Sequence, residues 1–218
     1  MAARVVLIVG AGPGVGASVA RRFAREGYDV GLVARSSEAL VTLTDELAAA
    51  GIRAGWAAAD IADAAALTTA VHRLTAELGR VDVLHFNPSV FRAADPLELS
   101  AEELLEDVRV GAAALLTAVQ AARPAMTRGA RVTVTGSMAA DHPSHAACSL
   151  GVQKAAVRNL VLSLDAALAP EGVRATSLTI MGVLAPGTPF APERVADALY
   201  AAATTPDEQW RTEVAFDG

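Results

Sequence analysis

The chain has 218 residues, and 53% of them are hydrophobic. This composition is too apolar for a disordered chain. The length suits one domain with a buried core, so we predict a single domain over residues 1–218. The formal net charge of −6, with no basic run, argues against nucleic acid as a partner. Apolar stretches are broken before the ~18 residues of a membrane span. The single cysteine, Cys148, excludes a disulfide framework and a cysteine-based zinc site within one chain and favours a cytoplasmic protein. We predict no metal site.

Short β-branched runs alternate along the chain with longer alanine-rich stretches of helical periodicity. A continuous apolar run such as residues 5–9 is typical of a strand that is buried on both faces. The alternation predicts an α/β fold, a Rossmann-type doubly wound parallel sheet of about seven strands with helices on both faces. The predicted strands cover residues 5–9, 28–33, 53–59, 81–86, 131–135, 173–180 and 212–216. The predicted helices cover approximately residues 15–26, 36–50, 60–79, 101–108, 112–127, 146–168 and 192–203.

A glycine-rich segment follows the first predicted strand and opens the first predicted helix. Glycines in this context let backbone N–H groups approach a pyrophosphate at the positive end of a helix. The position between strand and helix favours a nucleotide-binding loop over a tight turn that binds nothing. The residues that we expect this loop to contribute to a cofactor site are Gly10, Gly12, Pro13, Gly14, Val15 and Gly16.

The end of the second predicted strand indicates which nucleotide binds. A site for NAD places an acid there to bond the ribose 2′-hydroxyl, whereas an arginine suits the 2′-phosphate of NADP. This chain has Arg35 and Ser36 and no acid, so we expect NADP(H) to be preferred over NAD(H). The alternative is that Arg35 is only a solvated residue at a strand end.

These motifs resemble those of the short-chain dehydrogenase/reductase family, and the resemblance covers nearly the whole chain. The glycine spacing matches the family pattern, Asp60-Ile61 resembles its adenine-contacting pair, and Asn87-Pro88-Ser89 stands where the family usually has Asn-Ala-Gly. The segment after the sixth predicted strand departs from the family pattern, because Met181-Gly182 replaces Pro-Gly. Besides the glycine loop, Arg35 and Ser36, the resemblance implies cofactor contacts from Asp60, Ile61, Asn87, Pro88, Ser89, Lys154, Gly182 and Val183.

The resemblance also implies a catalytic tetrad, of which this chain keeps two members. Ser137 falls at the serine that holds the substrate oxygen, and Lys154 falls at the lysine that bonds the nicotinamide ribose. The tyrosine position, four residues before the lysine and on the same helical face, is Leu150, and the asparagine position is Gly111. A leucine cannot exchange a proton with the substrate, so the tetrad is degenerate.

Lys154 and the nearby histidines are weighed against structural alternatives. Lys154 is the one lysine beside 17 arginines, which favours a specific role over that of a solvated helix lysine. His142 and His145 follow Ser137 and are candidate proton donors, or simply exposed loop residues. His85, at the end of the fourth predicted strand, is expected to be a packed, hydrogen-bonded group.

Two functions are compatible with these observations. The first is an atypical NADP(H)-dependent oxidoreductase that acts on a small, moderately apolar carbonyl or imine substrate. The alternative is a non-redox protein on the same scaffold, either an enzyme of the cyclase, isomerase or lyase type or a cofactor-binding regulator. Apolar residues almost surround the predicted helices 112–127 and 146–168, so we also expect a homodimer or homotetramer, as the resemblance implies.

Overall fold

Seven parallel strands form one sheet, in the order β3-β2-β1-β4-β5-β6-β7. The computed structural model describes residues 3–218. The strands are β1 Val5–Val9, β2 Asp29–Ala34, β3 Ala54–Ala58, β4 Val81–Phe86, β5 Met126–Ser137, β6 Arg174–Ile180 and β7 Glu213–Phe216. The helices are α1 Val15–Arg25, α2 Ser37–Ala49, α3 Ala64–Leu78, α4 Ala101–Val108, α5 Ala114–Ala122, α6 Cys148–Leu168 and α7 Pro192–Ala203. The predicted Rossmann-type doubly wound sheet is confirmed.

The side chains of the strands alternate between two apolar layers. In β1, Leu7 and Val9 pack in the layer that includes α3, α5 and α6. Val6 and Ile8 pack in the layer that includes α1, α2 and α7. Alternation is a property of every strand, so a strand with helices on both sides must be apolar along its whole length. This explains the uninterrupted run of valine, leucine and isoleucine in the sequence.

The order of the strands determines where a ligand can bind. The chain runs outward from β1 to β3 and then returns to place β4 on the other side of β1. The loops after β1 and β4 therefore diverge at the carboxyl edge of the sheet. Such a crevice at the switch point is where doubly wound folds bind nucleotides.

The predicted helix over residues 112–127 is wrong at its carboxyl end. Helix α5 ends at Ala122, Arg123–Ala125 form a 3₁₀ turn, and β5 already begins at Met126. The cause is Pro124, which has no backbone N–H and whose ring clashes with the preceding turn of a helix. At its other end, α5 is continuous with α4 through a π-helical turn over Arg109–Ala113.

Helix α6 is the longest helix, and it connects the site to the core. It spans 21 residues and packs on β5 and β6. Its buried side includes Gln153, Lys154 and Val157. Within residues 3–218, no helix has the length and apolarity needed to cross a membrane.

Candidate functional site

A cleft of about 420 Å³ opens at the carboxyl edge of the sheet, between the ends of β1, β2 and β4. It brings together ten of the residues that the sequence predicted to bind a cofactor: Gly10, Gly12, Pro13, Arg35, Ser36, Asp60, Ile61, Asn87, Pro88 and Ser89. Four further lining residues were missed from sequence: Ala34, Ala39, Val90 and Val110. These four have small or apolar side chains without a chemical signature, so only the fold identifies them.

The glycine loop fits a phosphate group. A Cβ atom on Gly16 would lie 2.2 Å from the carbonyl oxygen of Gly10, so this glycine lets α1 pack against the loop. At Gly12 and Gly14 a Cβ would meet nothing within 4 Å, and Gly14 has a φ of 101°. No side chain of the described residues caps α1, and its first turn has no acid. The first backbone N–H groups of α1 are therefore available to an anion.

Arg35 and Ser36 lie at the opposite side of the cleft from the segment after β4. Arg35 is exposed and makes no ion pair with any residue from 3 to 218. The Ser36 hydroxyl oxygen accepts a hydrogen bond from the Ala39 N–H at 3.3 Å and so caps α2. Its own proton can still be donated. Both side chains can therefore offer donors to a phosphate.

Asn87 connects the end of β4 to the glycine loop. Its amide nitrogen donates to the Gly10 carbonyl oxygen at 3.1 Å, and its amide oxygen accepts from the Thr135 hydroxyl at 2.8 Å. Behind them, His85 is fully buried, with Nδ1 3.0 Å from the Thr133 hydroxyl and Nε2 3.4 Å from that of Thr135. Burial lowers the pKa of His85 to about 3. The histidine is thus a neutral, hydrogen-bonded core residue, as expected.

Lys154 and Ser137 lie outside the lining of the cleft, beside the end of β5. Lys154 is only 5% exposed, and its ammonium group donates to the Thr135 carbonyl oxygen at 2.9 Å. Burial lowers the pKa of Lys154 to about 8. The alternative of a solvated lysine is therefore wrong. The partly exposed Ser137 hydroxyl accepts from the Ala139 N–H at 3.2 Å, which leaves its proton free to hold a substrate oxygen.

The tyrosine and asparagine positions hold groups of different chemistry. Leu150 is partly buried on α6, one turn before Lys154. Gly111 is buried in the π-helical turn, and a Cβ there would lie 2.2 Å from Oε1 of Gln153. The space beside Gly111 is thus filled by an amide from α6. Sequence reasoning missed Gln153, although a polar residue next to Lys154 on the inner face of α6 was a usable signal.

Other predicted cofactor residues are not brought into the cleft. Val15 is buried in the first turn of α1, and Gly14 precedes it as an exposed N-cap. Gly182 lies under the ring of Phe190, where a Cβ would come within 2.2 Å of a ring carbon. Val183 is 80% exposed. None of these four positions lines the cleft.

The two loop histidines are both exposed. The ring of His145 lies 3.2 Å from a carboxylate oxygen of Asp95, and 84% of its side chain is exposed. His142 is exposed in the turn that follows Ser137. Neither is held in a buried position from which it could deliver a proton at a fixed geometry. Within the described chain, no group of three His, Cys, Asp or Glu could hold a metal ion.

Comparison with known proteins gives consistent results. A family model described as short chain dehydrogenase matches residues 4–194. Oxidoreductase UcpA of Salmonella typhimurium is 33% identical over 181 residues, which cover 80% of this chain and 67% of that protein. The A-factor type gamma-butyrolactone 1'-reductase (1S-forming) of Streptomyces virginiae is 31% identical over 198 residues, which cover 89% of this chain and 74% of the reductase.

Solved structures match over almost the full chain. A metagenomic short-chain oxidoreductase in complex with NADP has a TM-score of 0.87 and 26% identity, with 97% of this chain and 96% of that one covered. A short chain dehydrogenase from Burkholderia cenocepacia in complex with NADP has a TM-score of 0.88 and 26% identity, with 99% and 96% covered. Both proteins therefore share this fold over almost the full length of the chain.

Proposed function

Because the chain belongs to the short-chain dehydrogenase family, we propose that it is an atypical NADP(H)-binding oxidoreductase that acts on a small carbonyl or imine substrate. The observation that carries this proposal is the cleft, in which an uncapped helix terminus and a glycine loop lie within reach of Arg35. The fold alone would not suffice, since one scaffold serves many functions. The donors in this cleft are those that a dinucleotide requires.

The preference for NADP(H) is supported by the two donors at the end of β2. Arg35 and Ser36 can both bond a 2′-phosphate, and Arg35 has no competing carboxylate among the described residues. An acid at this position would favour the free ribose hydroxyl instead, and none is present. The two solved structures named above are complexes with NADP, which is compatible with this choice.

We place the reaction near the start of α6, beside Ser137 and Lys154. A nicotinamide nucleotide, when bound, supplies or accepts a hydride. The Ser137 hydroxyl can orient a carbonyl oxygen, and the Lys154 ammonium places a positive charge at the end of β5. Leu150 offers no proton and the two loop histidines are exposed, so we infer that water or the substrate provides it. The loop after β6 carries the apolar residues Val183, Leu184 and Phe190, and this composition supports a small, moderately apolar substrate.

Calorimetric titration of the purified protein with NADPH and NADH tests the cofactor proposal. We expect NADPH to bind at least about tenfold more tightly, because one charge-assisted hydrogen bond to the extra phosphate is worth that much. NADH binding that equals or exceeds NADPH binding would overturn the preference. Failure of both nucleotides to bind would overturn the function itself.

A second function is favoured by one observation, the leucine at position 150. A protein that binds the nucleotide but lacks a proton donor is suited to non-redox work, as a cyclase, isomerase or lyase-type enzyme or as a regulator. NADPH consumption with a panel of small ketones, aldehydes and imines separates the two. Tight NADPH binding without any consumption across the panel would favour this second function.

We propose further that the chain forms a homodimer or homotetramer. Apolar side chains on α4, α5 and α6 remain exposed: Leu105 by 62%, Leu116 by 40%, Val152 by 45% and Leu162 by 46%. Burying these side chains against a second copy would stabilise the assembly. Light scattering at micromolar concentration tests this, and a mass of about 22.3 kDa, that of one chain, would reject it.

A further inference from the structure

Gln153 is a completely buried polar residue that makes three hydrogen bonds to backbone groups. Its amide oxygen accepts from the Val90 N–H at 2.9 Å, and its amide nitrogen donates to the Val90 carbonyl oxygen at 3.0 Å. The same nitrogen donates to the Ser149 carbonyl oxygen at 3.2 Å within α6. Both amide protons and one oxygen lone pair are therefore used.

The side-chain amide of Gln153 pairs with the backbone of Val90 as a residue of a neighbouring strand would. Asn87 is the first residue after β4, and its N–H still donates to the Val9 carbonyl oxygen of β1. Val90 lies beyond the last strand pairing of β4. The amide of Gln153 replaces a neighbouring strand there, since one side chain satisfies both the donor and the acceptor of the same residue. Without it, Val90 would have an unpaired N–H and C=O at a partly buried position.

This arrangement depends on a glycine in the facing helical segment. A Cβ on Gly111 would lie 2.2 Å from Oε1, 2.8 Å from Cδ and 2.8 Å from Cγ of Gln153. Any side chain at position 111 would therefore displace the amide of residue 153. The two positions are coupled: the glycine creates the space, and the glutamine fills it.

Val90, the residue that the amide holds, lines the nucleotide cleft. It faces the same space as Gly10, Asp60 and Asn87. Val110, the neighbour of Gly111, lines that cleft as well. The pair Gly111 and Gln153 thus lies directly behind one wall of the cleft, although neither residue lines it.

We propose that Gln153 is a positioning residue for the nucleotide cleft: seated in the space left by Gly111, it fixes Val90 and so holds the wall against which the nucleotide binds. This inference rests on the proposed NADP(H) binding. It predicts that disturbing the pair weakens nucleotide binding by more than any loss of fold stability explains, because the backbone of a cleft wall is released.

NADPH affinity, measured by calorimetry well below the unfolding temperature, tests the inference in the full chain. Gln153→Met keeps the length of the side chain but removes the amide, and we expect about tenfold weaker NADPH binding. Gly111→Ala should weaken binding similarly by displacing the amide. The double variant should lose less affinity than the sum of the two single losses, because both changes break the same contact. Gln120→Met, on the exposed face of α5, is the matched control and should bind as the wild type does.

Gln153→Glu provides a readout that a purely structural role would not give. A carboxylate cannot donate to the Val90 carbonyl oxygen, whereas a protonated carboxyl group can. NADPH affinity of this variant, relative to wild type at each pH, should therefore recover as the pH falls.

The outcomes are distinct. Wild-type affinity in Gln153→Met and Gly111→Ala, even with lowered melting temperatures, would overturn the positioning role and leave the proposed function standing. Failure of the wild type itself to bind NADPH would overturn the proposed function and this inference with it.

Discussion

Lys154 donates its ammonium proton to the carbonyl oxygen of Thr135 across 2.9 Å, inside the protein. The side chain of the same threonine donates to Asn87, which in turn donates to the Gly10 carbonyl oxygen. One residue at the end of β5 therefore connects the lysine of α6 to the glycine loop after β1. None of these hydrogen bonds involves Leu150, whose side chain has no polar group.

The first prediction concerns the buried charge of Lys154. Below its ordinary pKa of 10.5 the unfolded chain protonates this lysine, whereas the folded chain does so only below about 8. Unfolding therefore takes up a proton between these values, and the stability of the wild type rises with pH. The free energy of unfolding of the wild type, relative to that of Lys154→Met, should rise by about 1 kcal/mol between pH 7 and pH 9. Urea denaturation without nucleotide measures this gain.

No other lysine is present to blur that comparison. A difference in unfolding free energy that stays constant from pH 7 to pH 9 would mean that the ammonium group is not desolvated in the folded protein. The lost hydrogen bond to Thr135 shifts the difference by a constant amount, so it does not imitate the predicted slope.

The second prediction concerns His85, whose pKa is lowered to about 3 by burial. Below pH 6.5, the ordinary pKa of histidine, this residue is protonated in the unfolded chain but stays neutral in the folded chain until about pH 3. The free energy of unfolding therefore falls as the pH falls. This histidine alone should lower the free energy of unfolding of the wild type by about 2 kcal/mol between pH 7 and pH 5. Chemical denaturation should show this contribution to be absent in His85→Gln. His72→Gln, at an exposed histidine of α3, is the control and should behave as the wild type.

Local sequence signals identify ten of the fourteen residues that line the cleft. The glycine loop, Arg35 and Asp60 were identifiable because each follows a strand, and the parallel topology brings all strand ends to one edge. His85 was expected to be packed, since it ends a strand that is otherwise apolar. In each case the information lies within a few residues along the chain.

The coupling of Gly111 with Gln153 could not be predicted in this way. The two residues are far apart in sequence. A glycine in a helix ordinarily indicates only that the helix is less stable at that position. The two residues are coupled because the side chain of Gln153 occupies the space that a side chain at position 111 would fill. This can be seen only from the packing of α6 against the π-helical turn. The early end of α5 has a local cause, because Pro124 is visible in the sequence and the helix ends at Ala122, two residues before it.

The third prediction concerns cofactor preference. Arg35→Ala should weaken NADPH binding by about ten- to a hundredfold and leave NADH binding unchanged, because the arginine meets only the additional phosphate. Calorimetric titration with both nucleotides measures the two affinities. Arg25→Ala, at an exposed arginine in the last turn of α1, is the control. An equal loss for both nucleotides would show that Arg35 contacts a part that they share.

The last prediction concerns the missing proton donor. A tyrosine at position 150 would lie one helical turn from Lys154, on the same face of α6. The neighbouring ammonium group favours the ionised phenol and so lowers its pKa toward neutrality. A proton donor of matched pKa accelerates such reactions by ~10²–10⁴, so Leu150→Tyr should raise the reduction of small ketones by NADPH about a hundredfold. A spectrophotometric assay of NADPH consumption measures it.

The control for this prediction is Leu150→Phe, which adds the ring without the hydroxyl. Adding an asparagine at position 111 should not help further, because its side chain would collide with the amide of Gln153 and loosen the cleft wall at Val90. Equal rates for the tyrosine and phenylalanine variants would show that the ring reshapes the pocket without delivering a proton. Brisk turnover by the wild type would show that another group already supplies the proton, and His142 and His145 would be the first positions to substitute.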